Sequence, residues 1–111
     1  MSVLIIEVAS TETVKQRFKN AMKGEEQGAI VSFASIELMH KIMNPRRLEI
    51  LSRLQTGPIG LRALARELSV DPGNLQRDIK PLKEYGIVQD TNNGLSVPYD
   101  EIRMEVVLKV A

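Results

Sequence analysis

The chain has 111 residues and a formal net charge of +1, and it is 43% hydrophobic but only 4% aromatic. This bounds it to one compact domain with room for an appended dimerisation element, cored by aliphatic side chains. The absence of cysteine and the single histidine, His40, exclude a disulfide framework, a thiolate or histidine-cluster metal site and a cysteine nucleophile. With two Phe, two Tyr and no Trp, a surface built on aromatic base stacking is also excluded.

In chain order, Val3 to Val8 reads as a strand that is apolar on both faces, and so covered on both sides. The same run is too short for a leader peptide, contains Glu7 and has no basic lead-in. No stretch reaches the length of a membrane span, so a cytoplasmic location and no membrane partner are expected. Ser10 or Thr11 can cap a helix to about Lys23, with Val14, Phe18, Ala21 and Met22 inward and Gly24 as its stop. Its row of Lys15, Lys19 and Lys23 reads as a solvated face. Residues 25–28 form a polar loop, and 29–33 are strand-like.

Ser35 can cap a short helix to about Met43, with Ile36, Met39 and Met43 on one side as core filling. Asn44-Pro45 pairs a capping residue with a first-turn proline. The helix it opens runs to about Gln55, with Leu48, Ile50, Leu51 and Leu54 inward or at an interface. Arg46 and Arg47 stand at its N-terminus, where the helix dipole disfavours cations. That placement points to a partner such as phosphate. Arg53 reads as solvated.

Leu61, Leu64, Ala65 and Leu68 have the spacing of one apolar helical stripe. Ser69-Val70 interrupts it. Asp71 then stands as an N-cap before Pro72, and a second helix buries Leu75, Ile79 and Leu82. At 100° per residue the opposite face presents Gly73, Arg77, Lys80 and Glu84, flanked by Asn74 and Gln76 among others. Such donors suit a helix whose first turns enter a major groove: Arg for guanine, Asn or Gln for adenine, Lys for phosphate. The alternative is an ordinary amphipathic helical hairpin with a solvated charged face. Gly86 is a natural stop, and Pro81 inside the helix predicts a kink or loosened turn. Arg62 and Arg66 share an outer face that could brace a duplex backbone or pair with Asp78; the ion pair is the structural role expected.

Asn93-Gly94 between short β-prone runs signals a hairpin, and residues 57–60 leave room for a short extended segment beside it. The hairpin tip offers Asn92 and Asn93 to a minor groove but no cation to phosphate. From Ile102 to Val110 apolar residues alternate with Arg103, Glu105 and Lys109, which predicts a long strand. Its expected place is a separate small sheet with the strands near 3–8 and 29–33, with its apolar face against a partner subunit or the 11–23 helix. Charge follows the same division. Residues 44–86 hold eight basic and five acidic side chains, 1–43 are balanced, and 87–111 carry two basic against four acidic. The positive field lies on the helix pair, where it would engage phosphates.

Helix, short strand, two helices and a hairpin, with the segment LARELSVDPGNLQRDIKPLKEYGIV, resemble prokaryotic winged helix-turn-helix regulators of the MarR and ArsR type. Ser32 to Ser35 (SFAS), Asn44 to Leu51 (NPRRLEIL), Gln76 to Leu82 (QRDIKPL) and Ser96 to Val106 (SVPYDEIRMEV) are similar to a group of short predicted regulators. That resemblance, over roughly residues 30 to 107, implies a homodimer on double-stranded DNA and, for an antitoxin-type member, a toxin protein as a further partner. Gly60 departs from it by standing where a Ser or Thr cap is usual, which weakens the helix start by about a few tenths of a kcal/mol.

The expected fold is therefore α+β: an N-terminal strand–helix–strand–helix element over 1–43, a winged helix-turn-helix over 44–98, and a C-terminal strand over 99–111 that returns to the first element. The expected DNA-contacting residues are Arg46, Arg47, Arg62, Gly73, Asn74, Gln76, Arg77, Lys80, Asn92 and Asn93. No cofactor, metal or catalytic residue is expected, because no paired-carboxylate motif, nucleophile elbow, Gly-rich phosphate loop or metal constellation occurs. The leading function is sequence-specific transcriptional regulation, as a repressor or antitoxin-type autoregulator. The alternative is a winged-helix protein-docking module, such as an antitoxin acting mainly by binding its toxin.

Overall fold

Helix starts in this chain are set by the residues that precede them. In the computed structural model, which describes residues 2–9, 29–108 and 110, Ser35 Oγ accepts the amide of Leu38 at 3.1 Å and opens α1, Ile36–Ile42. Asn44 Oδ1 accepts the amide of Arg47 at 3.0 Å ahead of α2, Pro45–Leu54. Asp71 Oδ2 accepts the amide of Asn74 at 3.1 Å ahead of α4, Pro72–Glu84. Each satisfies one of the first-turn N–H groups that a helix leaves without a partner. Among the described helices only α3, Leu61–Leu68, starts without such help, from Gly60. The expected 11–23 helix, its lysine row and the 25–28 loop lie outside the described residues.

The architecture is α+β, and the chain gathers into two compact units. One runs to Lys41 and resumes at Tyr99; the other is Ile42–Pro98. The break falls two residues before the expected one, so that Met43, 3% exposed, belongs to the helical unit. That unit buries Ile50, Leu51 and Leu54 of α2, Leu64 and Ala65 of α3, and Leu75, Ile79 and Leu82 of α4, the stripes that the helical spacing predicts. Ile87, Val88, Leu95 and Val97 complete its core.

Between α3 and α4, Ser69 takes a left-handed conformation with φ 56°, and the amide of Val70 donates back to the carbonyl of Ala65 at 2.9 Å. This closes α3 and turns the chain within three residues. A non-glycine residue there costs on the order of 1 kcal/mol. The hairpin that follows α4 pairs β3, Gln89–Thr91, with β4, Gly94–Ser96, antiparallel. Its turn differs from the expected Asn-Gly form. Asn92 and Asn93 bridge the strands, while Gly94, φ +115°, is already the first residue of β4. Ile59 explains the glycine: it forms an antiparallel bridge to Leu95, and a Cβ on Gly94 would lie 2.5 Å from the Ile59 carbonyl carbon. Thr91 Oγ1 donates to the Gly94 carbonyl at 2.8 Å and accepts the Asn93 amide at 3.2 Å, which stiffens the tip.

The other unit holds a three-stranded sheet in the order β2-β1-β5. β1 is Val3–Val8, β2 Ala29–Phe33 and β5 Glu101–Glu105. Both pairings to β1 are parallel; Leu4 faces Ala29 on one side and Ile102 on the other, and Ile6 faces Val31 and Met104. Leu4, Ile6, Phe33 and, from α1, Met39 are buried. Covering of β1 is unequal: on its opposite face Val3 and Ile5 are half-buried, and Glu7 accepts the Ser32 hydroxyl at 3.2 Å.

Two expectations are corrected here. The last strand stops at Glu105 rather than running to Val110, because its neighbour β1 supplies partners only as far as Glu7. Ile36 is 40% exposed and not core filling, whereas Met39 and Met43 are each buried.

Candidate nucleic-acid interface

The face of α4 opposite its buried stripe is made of donors. Gly73, Asn74, Gln76, Arg77 and Lys80 are all exposed, while Leu75, Ile79 and Leu82 are at most 1% exposed. Because the Asp71 cap and Pro72 fix the first turn, Asn74, Gln76 and Arg77 are held on one rigid surface. Arg77 Nη1 donates to Asn74 Oδ1 at 3.0 Å, a hydrogen bond that orients two of these exposed side chains against each other. α4 continues through Pro81 to Glu84. The proline lacks the amide that would reach the carbonyl of Arg77, so the helix loses one bond there. The amide of Tyr85 still reaches the Pro81 carbonyl at 3.1 Å.

The arginines at the start of α2 are used differently from the expectation. Arg47 is tucked in, its side chain 15% exposed; Nε donates to Asp78 Oδ1 at 3.3 Å and Nη1 to the Ile42 carbonyl at 3.1 Å. Arg46 Nε lies 2.9 Å from Asp78 Oδ2 as a charge contact without hydrogen-bond geometry, and its side chain is 57% exposed. Asp78 therefore pairs with Arg46 and Arg47, not with Arg62 or Arg66. The reason is electrostatic: two cations at a helix N-terminus need a nearby carboxylate, and Asp78 on α4 is the one that reaches them. Arg47 thus holds α2 and α4 together, and only Arg46 of the pair keeps a guanidinium facing solvent. Arg62 and Arg66 on α3 are exposed and remain on the outer face.

Arg53, expected to be solvated, clamps α2 to α3. Its Nε donates to Glu67 Oε2, its Nη2 to Glu67 Oε1 at 3.1 Å, and its Nη1 to Thr56 Oγ1 at 2.9 Å and the Gly57 carbonyl at 3.3 Å. The hydrogen bond from Arg53, more than the bare charge, lowers the Glu67 carboxyl below the ordinary carboxylate range and raises Arg53 above its own. Spacing on a single helix could not have found this pair, since its members come from different helices.

The hairpin sits against the other flank of α4. Lys83 Nζ lies 2.9 Å from Asp90 Oδ2, and a cleft of about 140 Å³ opens between Gln76, Lys83, Asp90 and Thr91. Asn92 and Asn93 are exposed at its tip. Lys83 and Asp90 are the residues that sequence reasoning missed. The signal was a lone acid at a hairpin beside the only cation in the last turn of α4.

A family model matches residues 42–104, from the end of α1 through most of β5, which is more than half of the chain. The chain belongs to the HVO_A0114 family. The family's match covers every helix, cap and hairpin residue of the surface just described and all of the Ile42–Pro98 unit. No curated protein matches the chain. Among the described residues, no helix is long and apolar enough to cross a membrane.

Proposed function

We propose that this member of the HVO_A0114 family is a sequence-specific, double-stranded DNA-binding regulator of transcription. In this reading α3 and α4 are a helix-turn-helix and the β3–β4 hairpin its wing. It works in the cytoplasm as a homodimeric repressor or antitoxin-type autoregulator, without an enzymatic step. The observation that carries the reading is the exposed α4 face. Asn74, Gln76, Arg77 and Lys80 combine the side chains that contact adenine, guanine and phosphate on a helix whose leucines and isoleucine are all buried. A protein-docking helix would instead expose large apolar anchors, and α4 exposes no large aliphatic or aromatic side chain.

Two copies of α4 would enter successive major grooves about one helical turn apart, so the operator is a near-palindrome. Arg77 and Asn74 read base edges; Lys80, Arg46, Arg62 and Arg66 engage phosphates. Asn92 and Asn93, without a cation beside them, approach the minor groove. Arg47 is left out of the contact set because Asp78 and the Ile42 carbonyl occupy its guanidinium.

A salt-titrated fluorescence-anisotropy assay on the protein's own promoter region tests this. Arg77→Ala costs about 1–3 kcal/mol and relaxes one base position. Lys80→Ala weakens specific and random duplexes alike and flattens the salt slope by about one unit. Equal losses on specific and random DNA for Arg77→Ala overturn its base-reading role. No salt-dependent binding to any duplex overturns the function.

A further inference from the structure

β5 is an edge strand. One side pairs with β1, and the other pairs with no described strand. Beyond Glu105 the chain stays apolar and open: Val106 is 46% exposed, Val107 70% and Leu108 83%, and Met104 within the strand is 39% exposed. An edge with free backbone groups and a contiguous apolar margin is a template for another strand, and proteins that keep one cover it.

The charges along this edge select the occupant. In an antiparallel pair of identical strands related by a two-fold axis normal to the sheet, the axis must pass through a residue, which faces its own copy. A seam centred on Arg103 or on Glu105 sets like charges opposite each other, which is destabilising. One centred on Ile102 sets Arg103 opposite Glu101, but it puts Met104 opposite Asp100 and Val106 opposite Pro98, which has no amide to donate, and it leaves the exposed Val107 and Leu108 with no residue of β5 opposite them. Centres at Val106 or Val107 move the seam past the end of β5. Centred on Met104, Arg103 faces Glu105 of the second copy twice over, Ile102 faces Val106 twice, and Met104 meets Met104. Of these registers, it alone pairs opposite charges while setting the exposed Val106 against an apolar residue of β5. We propose that two copies of this chain join β5 to β5, antiparallel about Met104, turning two three-stranded sheets into one of six strands. This rests on the homodimer in the reading above and places its seam.

The chain has no cysteine, so single cysteines report the register directly. Opposed residues in an antiparallel pair have Cα atoms about 4.5–5.5 Å apart, within disulfide reach. Under mild oxidation Met104→Cys forms a covalent dimer, whereas Arg103→Cys and Glu105→Cys, each displaced from its own copy along the strand, do so far more slowly. In sedimentation equilibrium without DNA, Arg103→Glu or Glu105→Arg weakens self-association about tenfold, by setting like charges opposite each other at two places. The double exchange restores it, which a fault in folding would not. The proposal is overturned by a wild-type protein that stays monomeric. It is equally overturned by cross-linking at 103 or 105 as fast as at 104, or by a double exchange that does not recover. Because these measurements contain no DNA, they stand apart from the function: a Met104-centred dimer that binds no duplex sinks the regulator reading and leaves the seam intact.

Discussion

The Ile42–Pro98 unit and the sheet unit are built on opposite principles. In the first, nearly every constraint is local: a cap three residues before the amide it serves, a stripe repeating every three or four residues, a left-handed turn at Ser69, a hairpin two residues wide. In the second, each strand depends on a segment far away in the chain. Ile5 pairs with Ile30 on one side and Arg103 on the other, and nothing near any of the three dictates the match. Local constraints place a rigid polar surface with few residues. Distant ones leave an edge and an apolar margin that a monomer does not close. The two surfaces differ accordingly, the α4 face in donors and the β5 margin in bare hydrocarbon.

The largest test of this contrast is Leu82→Ala. Leu82 is fully buried on α4, and its truncation removes contacts and leaves a cavity, at a cost of about 2–5 kcal/mol in urea unfolding. Ile36→Ala, at a side chain 40% exposed, changes stability by no more than about 0.5 kcal/mol. Equal losses at the two sites would mean that the exposed apolar residues are as packed as the core, and the contrast fails.

Gly94→Ala comes next. The new Cβ would press on the Ile59 backbone at a φ that side chains rarely adopt, so we expect a loss of about 1–3 kcal/mol, read by the same unfolding curves. An unchanged midpoint would show that the hairpin is not held to Ile59. Smaller and opposite in sign is Ser69→Gly, which relieves the left-handed strain between α3 and α4. Relief of about 1–2 kcal/mol of strain is offset by about 0.4–1 kcal/mol from the greater freedom of the unfolded chain, so we expect a net gain of roughly 0.5–1 kcal/mol. A loss would mean that the turn draws support from the serine side chain itself.

These sites also show what the sequence could reveal. Asp71-Pro72, Asn44-Pro45 and the stripes of α2 to α4 were legible because capping and burial act over a few residues. The exposed set Asn74, Gln76, Arg77 and Lys80 was legible for the same reason, since one helix fixes its own faces. Asp78 was assigned the wrong arginines because its choice between α2 and α3 is a matter of how helices pack, which no periodicity encodes. Arg53 was taken as solvated because its partner Glu67 lies on another helix. The end of β5 was misplaced because the alternation of Met104, Val106 and Leu108 continues after the neighbouring strand has run out.

The smallest expected effect is the pH dependence of the Arg53–Glu67 clamp. Hydrogen bonding to Arg53 lowers the Glu67 carboxyl in the folded state. The unfolded chain therefore takes up the proton first, and folding is favoured while Glu67 is ionised. The contribution is complete above the ordinary carboxylate range, at about pH 4.3, and fades as the pH falls through the lower folded value. The raised Arg53 has the opposite sign, losing its contribution only at strongly alkaline pH. Glu67→Gln should thus lower the urea midpoint near neutrality, with the gap from the wild type closing below pH 4. Both residues are accessible to solvent and salt screens them, so the gap is small and should narrow further at high ionic strength. A gap that is constant with pH would mean that Glu67 acts through its shape and neutral hydrogen bonding. The α2–α3 clamp would then depend on packing alone, as the buried stripes of the same unit do.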